Sequence, residues 1–145
     1  MILIKRIDIT HELYPLEQEL RNEVLLRPIG IPDHAWEMHD QSAWHFVALA
    51  DEQLVGCVVL RPLDQQVARV QLMQMAVSEQ FQGQGIGKQL VHQLLGFCAE
   101  EGIREVVCHA RENAINFYSK LGFEIYGEPF EEVGVLHRHM RFNVT

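Results

Sequence analysis

The stretch Gln82-Gly83-Gln84-Gly85-Ile86-Gly87-Lys88 has glycine at every second position, directly before an amphipathic helical pattern. Glycine reaches backbone conformations that other residues avoid, and it leaves no side chain to block a ligand. Backbone N–H groups at a helix N-terminus point outward, and the helix dipole favours an anion there. The stretch therefore predicts a loop that holds a diphosphate. The alternative is a glycine-rich turn that only starts a helix.

Two familiar phosphate loops do not fit this stretch. A P-loop needs glycine five positions before Gly87 and serine or threonine after Lys88, but the sequence has Gln82 and Gln89 there. A G-x-G-x-x-G dinucleotide motif that starts at Gly83 would place its third glycine at Lys88. An unrelated nucleotide-binding protein is therefore the weakest of the functional hypotheses.

The residues around the loop predict a sheet flanked by helices. The helix after the loop carries apolar residues on one broad face and ends at Gly102. Further helices are predicted from Thr10, as the N-cap, to Val24 and from about Ala114 to Leu121. The chain from 28 to 42 is predicted to be irregular. Strands are predicted at 2–9, 44–50, 54–60, 67–77, 105–110, 123–126 and 136–142.

The connections between these strands decide the fold class. Short turns favour antiparallel pairing, whereas the strand–helix–strand unit from 67 to 110 implies a parallel crossover. The predicted class is α/β, with a mixed, mostly antiparallel sheet. At 145 residues the chain has the size of one domain, and we expect a single domain over residues 1–145.

The amino-acid composition of the chain argues against several classes of function. The chain is 48% hydrophobic and 22% charged, which is typical of a globular protein with a core. Its net charge of −8 argues against binding to nucleic acids or anionic membranes, and no apolar run is long enough to span a bilayer. Cys57, Cys98 and Cys108 have mostly apolar neighbours, which favours buried thiols in a reducing compartment. We expect a cytoplasmic protein.

Two separated motifs resemble the Gcn5-related N-acetyltransferase (GNAT) superfamily. Gln82-x-x-Gly85-x-Gly87 matches its [Q/R]-x-x-G-x-[G/A] signature, and the segment from Asn113 to Phe123 resembles its N-x-x-A-x-x-F-Y-x-x-x-G-F region. The resemblance covers about residues 44–142. The segments 20–24 and 131–137 are similar to the bacterial ElaA/YjcF-like branch.

The resemblance implies a fold and a co-substrate. The fold would be a single GNAT-like domain with helices on both faces of the sheet and a central parallel strand pair splayed to hold CoA. Acetyl-CoA would be the co-substrate, and no metal would take part. The cofactor-binding residues would be Met75, Ala76, Val77, Gln82, Gly83, Gln84, Gly85, Ile86, Gly87, Lys88, Asn113 and Phe117.

The resemblance also implies one catalytic residue. Tyr118 matches the family tyrosine that protonates the departing CoA thiolate, and a phenol can donate such a proton. Packing is the alternative role for Tyr118 and for its neighbour Phe117. Asn113 would either bind pantetheine or cap the short helix.

The general base is left open by the sequence. Gln71 occupies the position where some relatives carry glutamate, and an amide cannot accept the ammonium proton. The candidates are a chain of water molecules or one of the side chains Glu37, Asp40, His45, His109 and His137. His137 and His139 have a spacing that metals can use, but no further ligand pattern completes a site. Trp36, Met38 and His39 would either line an acceptor pocket or cover the sheet.

Two functions follow from these expectations. The first is an N-acetyltransferase that moves the acetyl group of acetyl-CoA directly to a primary amine of a small molecule or peptide. The second is a non-catalytic acyl-CoA-binding sensor or regulatory module, which Gln71 favours. A homodimer is a common arrangement in the family. The acidic composition suggests a cationic acceptor amine.

Overall fold

A computed structural model describes residues 1–144 and contains one seven-stranded sheet. The strands are β1 (Ile2–Ile7), β2 (Trp44–Ala50), β3 (Gln53–Pro62), β4 (Arg69–Val77), β5 (Glu105–Arg111), β6 (Glu124–Glu132) and β7 (Val135–Asn143). The α-helices are α1 (Tyr14–Arg21), α2 (Ile86–Glu101) and α3 (Ile115–Lys120). A π-helical turn (Asn22–Leu26) follows α1, and short 3₁₀ turns lie at Arg27–Ile29, Asp40–Ser42, Glu79–Phe81 and Glu112–Ala114.

The strand order is β1-β2-β3-β4-β5-β7-β6, and only β4 and β5 pair in parallel. Helix α2 forms the crossover between these two strands. Their pairing covers only Arg69–Leu72 against Glu105–Cys108. Beyond Leu72, β4 continues to Val77 without a partner on β5, so the two strands diverge. The expected mixed sheet with a splayed parallel pair is thus confirmed.

Strand β4 bends within this opening. The register between β3 and β4 shifts between Cys57 and Val59, and Gln74 has a φ of 52°. A β-bulge adds an unpaired residue and turns the following side chains and amides in a new direction. The bulge therefore determines how Met75 to Val77 face the opening.

The sheet carries a core on each face. Phe46 and Val58, which are paired across β2 and β3, face the larger core under α2. Their neighbours Val47 and Cys57 face the smaller core with Leu20 of α1. Successive residues of a strand point to opposite faces, so this alternation requires apolar cover on both sides. Helices on both faces are thus confirmed.

Two predicted boundaries are wrong. Helix α1 begins at Tyr14 rather than after Thr10, because Thr10 instead bonds Asp8 in a turn that ends β1. Strand β6 continues past Tyr126 to Glu132, because a bulge between Tyr126 and Phe130 accommodates a glycine and a proline. Proline is tolerated there since β6 lies at the sheet edge.

Cys57, Cys98 and Cys108 are free and buried, as the sequence predicted. Burial raises the pKa of all three thiols, so they stay protonated near neutral pH. Among residues 1–144, no helix combines the length and apolar character that crossing a membrane requires.

Candidate active site

The glycine loop leaves backbone amides open at the start of α2. Gly83 and Gly85 have φ values of 80° and 83°, and nothing lies within 4 Å of the Cβ that a larger residue would carry. Glycine is therefore needed there for backbone conformation rather than for space. Gly85 is the N-cap and no side chain caps the helix, so the first amides of α2 remain free for a ligand. The Gln82 side chain ties the loop to β4 through a 3.0 Å bond to the Val77 carbonyl.

A pocket of about 550 Å³ lies between this loop and the end of β4. It brings together most of the predicted cofactor-binding residues, namely Met75, Ala76, Val77, Gln82, Gly83, Gly85, Ile86, Gly87, Lys88 and Phe117. Gln84 does not line it, and its side chain instead reaches the Gln80 carbonyl. The size and the free amides of this pocket fit the phosphate end of a CoA-like molecule.

A second pocket of about 980 Å³ continues along the open face of β4, β5, β6 and β7. Met75 and Phe117 line both pockets, so the two meet where β4 and β5 diverge. Asn113 and Tyr118 line the second pocket rather than the first. An extended molecule that starts at the glycine loop and passes the junction would therefore enter the pocket that Tyr118 lines.

Tyr118 lies on α3 and is 7% exposed. Its ring packs edge-on against Phe117 and Phe123, at centroid distances of 5.1 and 5.4 Å. Burial, with a smaller contribution from Cys108, raises the pKa of the Tyr118 hydroxyl. The phenol is consequently a proton donor throughout the physiological range.

A polar group on the wall of the second pocket joins β5 to the β6–β7 hairpin. Glu132 Oε2 lies 3.0 Å from His109 Nδ1, and Glu132 Oε1 lies 4.0 Å from His137 Nε2. His137 Nδ1 lies 2.7 Å from the Val135 carbonyl, and because a carbonyl oxygen can only accept, Nδ1 is the donor. The other ring nitrogen, Nε2, therefore faces Glu132. The three side chains form one acid–histidine group in the pocket.

The sequence prediction included His109 and His137 but missed Glu132. Cross-strand register is the signal that would have found it: His139 pairs with His109 and with Tyr126, and Phe130 pairs with His137. That register depends on the bulge in β6, which the sequence pattern did not indicate. The ring of His139 stacks on Phe130 at a centroid distance of 4.2 Å. Partial burial and, to a smaller extent, the nearby His109 lower the pKa of His139.

Three other candidate bases, Asp40, His45 and Glu37, lie outside the second pocket. Asp40 and His45 are buried in an ion network centred on Arg21, whose guanidinium bonds Asp40 at 2.8 Å and Glu17 at 2.9 Å. Glu37 bonds Gln18 and His34, and like the other two it does not line the second pocket.

The ion network supports the bulge of β4. Arg21 Nε donates to Gln74 Oε1 at 2.8 Å, and Gln74 Nε2 donates to the Trp36 carbonyl at 2.7 Å. The oxygen and nitrogen ligands of Glu17, Asp40 and His45 lie within 4.8 Å of one another, a spacing that could hold a metal. The Arg21 guanidinium already supplies the positive charge that these carboxylates require.

The remaining predicted residues line the second pocket. Gln71 faces it from β4, so the position where some relatives carry glutamate is inside the cavity but bears an amide. Trp36, Met38 and His39 also line it. They are therefore placed to contact a molecule in that pocket.

Comparison with known proteins gives consistent matches. The sequence model of the family described as "Acetyltransferase (GNAT) domain" matches residues 29–144. The chain is 31% identical to N-acetyltransferase 8 of Rattus norvegicus over 102 residues, which cover 66% of this chain and 46% of that protein. It thus spans about half the length of this relative.

Two bacterial proteins match over most of their length. The uncharacterized N-acetyltransferase YitI of Bacillus subtilis is 29% identical over 81% of this chain and 82% of its own. The crystal structure of Escherichia coli ElaA superposes with a TM-score of 0.86 over 98% of this chain and 99% of that chain, at 23% identity.

Proposed function

This chain belongs to the GNAT family of acetyltransferases, as its two motifs predicted, and we propose that it moves the acetyl group of acetyl-CoA to a primary amine of a small molecule or peptide. The family uses acetyl-CoA as co-substrate. The observation that carries the proposal is the junction of the two pockets, where the loop-side cavity opens at Met75 and Phe117 beside Tyr118.

The first pocket supports binding of the phosphate end of acetyl-CoA. The free amides from Gly85 to Lys88 would hold the pyrophosphate, with the Lys88 ammonium nearby. Met75, Ala76 and Val77 lie on the part of β4 that has no β5 partner, so their backbone groups are available to the pantetheine arm. Asn113 and Phe117 would line the arm where the pockets meet.

When bound, acetyl-CoA supplies an acetyl group activated as a thioester. The amine nitrogen forms a bond to the acetyl carbon, the carbon–sulfur bond breaks, and one proton leaves the nitrogen. A backbone N–H of β4 would stabilise the charge that develops on the carbonyl oxygen. Tyr118 would donate its proton to the departing sulfur. No nucleophile from the protein is needed for this direct transfer.

We assign the removal of the amine proton to Glu132, together with His109 and His137. Its carboxylate lies in the pocket with Tyr118, and its side chain is 46% exposed, so an amine or a bridging water can reach it. Gln71 cannot accept a proton, and Asp40 and His45 are occupied in the Arg21 network. Of the carboxylates considered, Glu132 is the one that lines the second pocket.

A non-catalytic acyl-CoA-binding module is the alternative function, and Gln71 is the observation that favours it. An amide at this position removes the base that some relatives carry, while the loop and the cofactor pocket are kept. Such a module would bind CoA and release no thiol.

Three further proposals concern the whole protein. We propose a cytoplasmic location, which the buried free thiols support. We propose that residues 1–145 form one domain, which the continuous sheet supports. A homodimer would draw support from the exposed apolar side chains Ile125, Val133 and Leu136 on the β6–β7 hairpin, and sedimentation would test it.

Binding and turnover together test the proposed function. Acetyl-CoA should raise the melting temperature of the protein, whereas ATP and NAD should not. A free-thiol assay over a broad amine panel should then show release of CoA that depends on the amine. Stabilisation by acetyl-CoA without thiol release for any amine would favour the binding module instead.

A further inference from the structure

The second pocket is positively charged although the chain is acidic overall. The net charge of the chain is −8, yet this pocket is lined by Arg61, Arg69 and Arg111, and Glu132 is the one carboxylate side chain of residues 1–144 that lines it. Like charges in one cavity repel each other, so folding alone gives no reason to gather them there. The acidic composition suggested a cationic acceptor, but the lining of this cavity favours an anionic group.

Two of these arginines lie close together on the neighbouring strands β3 and β4. Arg61 on β3 pairs in register with Gln71 on β4, and Arg69 precedes Gln71 by two residues on the same face. Diagonal neighbours of this kind lie about 7–8 Å apart, and their Cβ atoms are somewhat closer. One anionic group could therefore contact both guanidinium groups.

The two arginines differ in how their charge is balanced. Arg69 Nε bonds Glu105 Oε1 at 2.7 Å, across the parallel β4–β5 pair. Arg61 is half-buried and makes no ion pair with any carboxylate of residues 1–144. Arg61 is thus a cation in a cavity, with no carboxylate of the described residues in ion-pair contact with it.

The position of Arg61 indicates where the end of the acceptor that is remote from the amine would lie. Arg61 lies opposite Gln71, and Met75, where the two pockets meet, is four residues farther along β4. At about 3.3 Å per residue this separation is roughly 13 Å along the strand, less the shortening at the bulge. An acceptor that contacts Arg61 would therefore extend its amine along β4 toward the junction.

We propose that the acceptor is a small amine that also carries a carboxylate, bound by Arg61 with help from Arg69, at the end remote from the reacting nitrogen. This inference rests on the proposed function, because it assigns the second pocket to the acceptor. The net negative charge of the protein repels anions at long range, so a local guanidinium must supply the selectivity. Trp36 and Met38, which line the same pocket, would contact the aliphatic part of such a molecule.

The test measures binding to the complex of the protein with CoA, in which no acetyl group is present to transfer. Calorimetry would compare ω-amino carboxylic acids of increasing length with the corresponding amides. For at least one length, we expect the acid to bind at least tenfold more tightly than its amide. Equal affinities of acid and amide at every length would overturn the proposal.

Variants of single arginines would then show which residue causes the preference for the acid over the amide. Arg61→Gln should abolish the preference for the acid and leave the affinity for the amide unchanged. Arg104→Gln, which removes an exposed arginine outside both pockets, should keep the preference, and Arg61→Lys should keep part of it. A preference that survives in a folded Arg61→Gln protein would also overturn the proposal.

The failure of this inference is distinguishable from the failure of the proposed function. If acids bind in preference to amides but no amine releases thiol from acetyl-CoA, the acetyl-transfer proposal fails and the carboxylate site stands. If thiol is released with neutral amines, and acids bind no better than amides, the transfer proposal stands and the carboxylate site is wrong.

Discussion

Tyr118 is the side chain whose environment bears most directly on the chemistry. It is buried between Phe117 and Phe123, and burial keeps its hydroxyl protonated. We expect Tyr118→Phe to lower kcat by about 100-fold, since general acid catalysis contributes a factor of this order. The affinity for acetyl-CoA and the melting temperature should change little, because the ring is kept. Full activity of the variant across the pH range would show that Tyr118 is not the acid.

Glu132 has a matched neighbour that makes its role testable. Glu132 lines the second pocket, whereas Glu131, the preceding residue, is exposed and does not. We expect Glu132→Gln to lower kcat/KM by about 100-fold at neutral pH, and Glu131→Gln to leave it unchanged. The loss should shrink as the pH rises, because the free amine then arrives already deprotonated. Steady-state kinetics over a pH series measures this, and equal effects of the two substitutions would contradict the assignment.

At the scale of elements, replacement of Gly85, which precedes helix α2, and of Gly96, which lies within it, should have opposite effects. Gly85 is the N-cap with a positive φ, which a side chain strains by about 1–2 kcal/mol, so Gly85→Ala should displace the loop amides. We expect acetyl-CoA to bind about tenfold more weakly to this variant. Gly96 lies in the exposed middle of α2, and nothing lies within 4 Å of the position that a Cβ would take, so Gly96→Ala should stabilise the fold by about 0.5–1 kcal/mol. Calorimetry with acetyl-CoA and thermal melts would measure both, and unchanged cofactor affinity in Gly85→Ala would contradict the role of the loop.

The elements also show which features a sequence can predict. Helix α2 ends where Gly102 predicted, because a glycine at positive φ is a local signal. The bulge at Gln74 is not local, since it depends on Arg21 of α1 and the Trp36 carbonyl, which lie 53 and 38 residues away along the chain. Glu132 was missed for the same reason, because only the pairing of β5, β7 and β6 brings it to His109. Local signals predicted the loop, whereas long-range pairing arranges the residues of the second pocket.

For the whole molecule, the Arg21 network connects α1 to the bulge of β4. Replacing Arg21 by methionine would remove the guanidinium that pairs with the buried carboxylates of Glu17 and Asp40, leaving Glu17 with its bond to His45 and Asp40 with its bond to the Tyr14 hydroxyl. Loss of one partner from a buried ion pair costs about 3–5 kcal/mol of the free energy of unfolding. Arg27→Met, which removes exposed ion pairs with Glu19 and Asp33, should barely change it. Chemical denaturation would compare the two variants, and equal losses would show that the network is not the stabilising feature.

Protonation of His45 should make the stability of the folded protein depend on pH, in a direction that its pKa shift predicts. Burial favours the neutral ring, but the hydrogen bond and charge of Glu17 outweigh it, so the folded pKa is raised above the ordinary 6.5. The resulting stabilisation is fully present below pH 6.5 and is lost as the pH rises through the folded pKa. We therefore expect the free-energy difference between wild type and His45→Gln to fall as the pH increases through that range. Denaturation curves over a pH series would show this, and a difference that grows with pH would contradict it.

In the proposed function, the two joined pockets would hold acetyl-CoA and an amine, and the acetyl group would pass directly from one to the other. The most direct measurement follows isotopically labelled acetyl-CoA in the presence of an amine and quantifies the free thiol and the acetylated amine by mass spectrometry. We predict one labelled N-acetyl product for each thiol released, with no label on the protein. Labelled protein, or binding of acetyl-CoA without any amine-dependent thiol release, would contradict the claim.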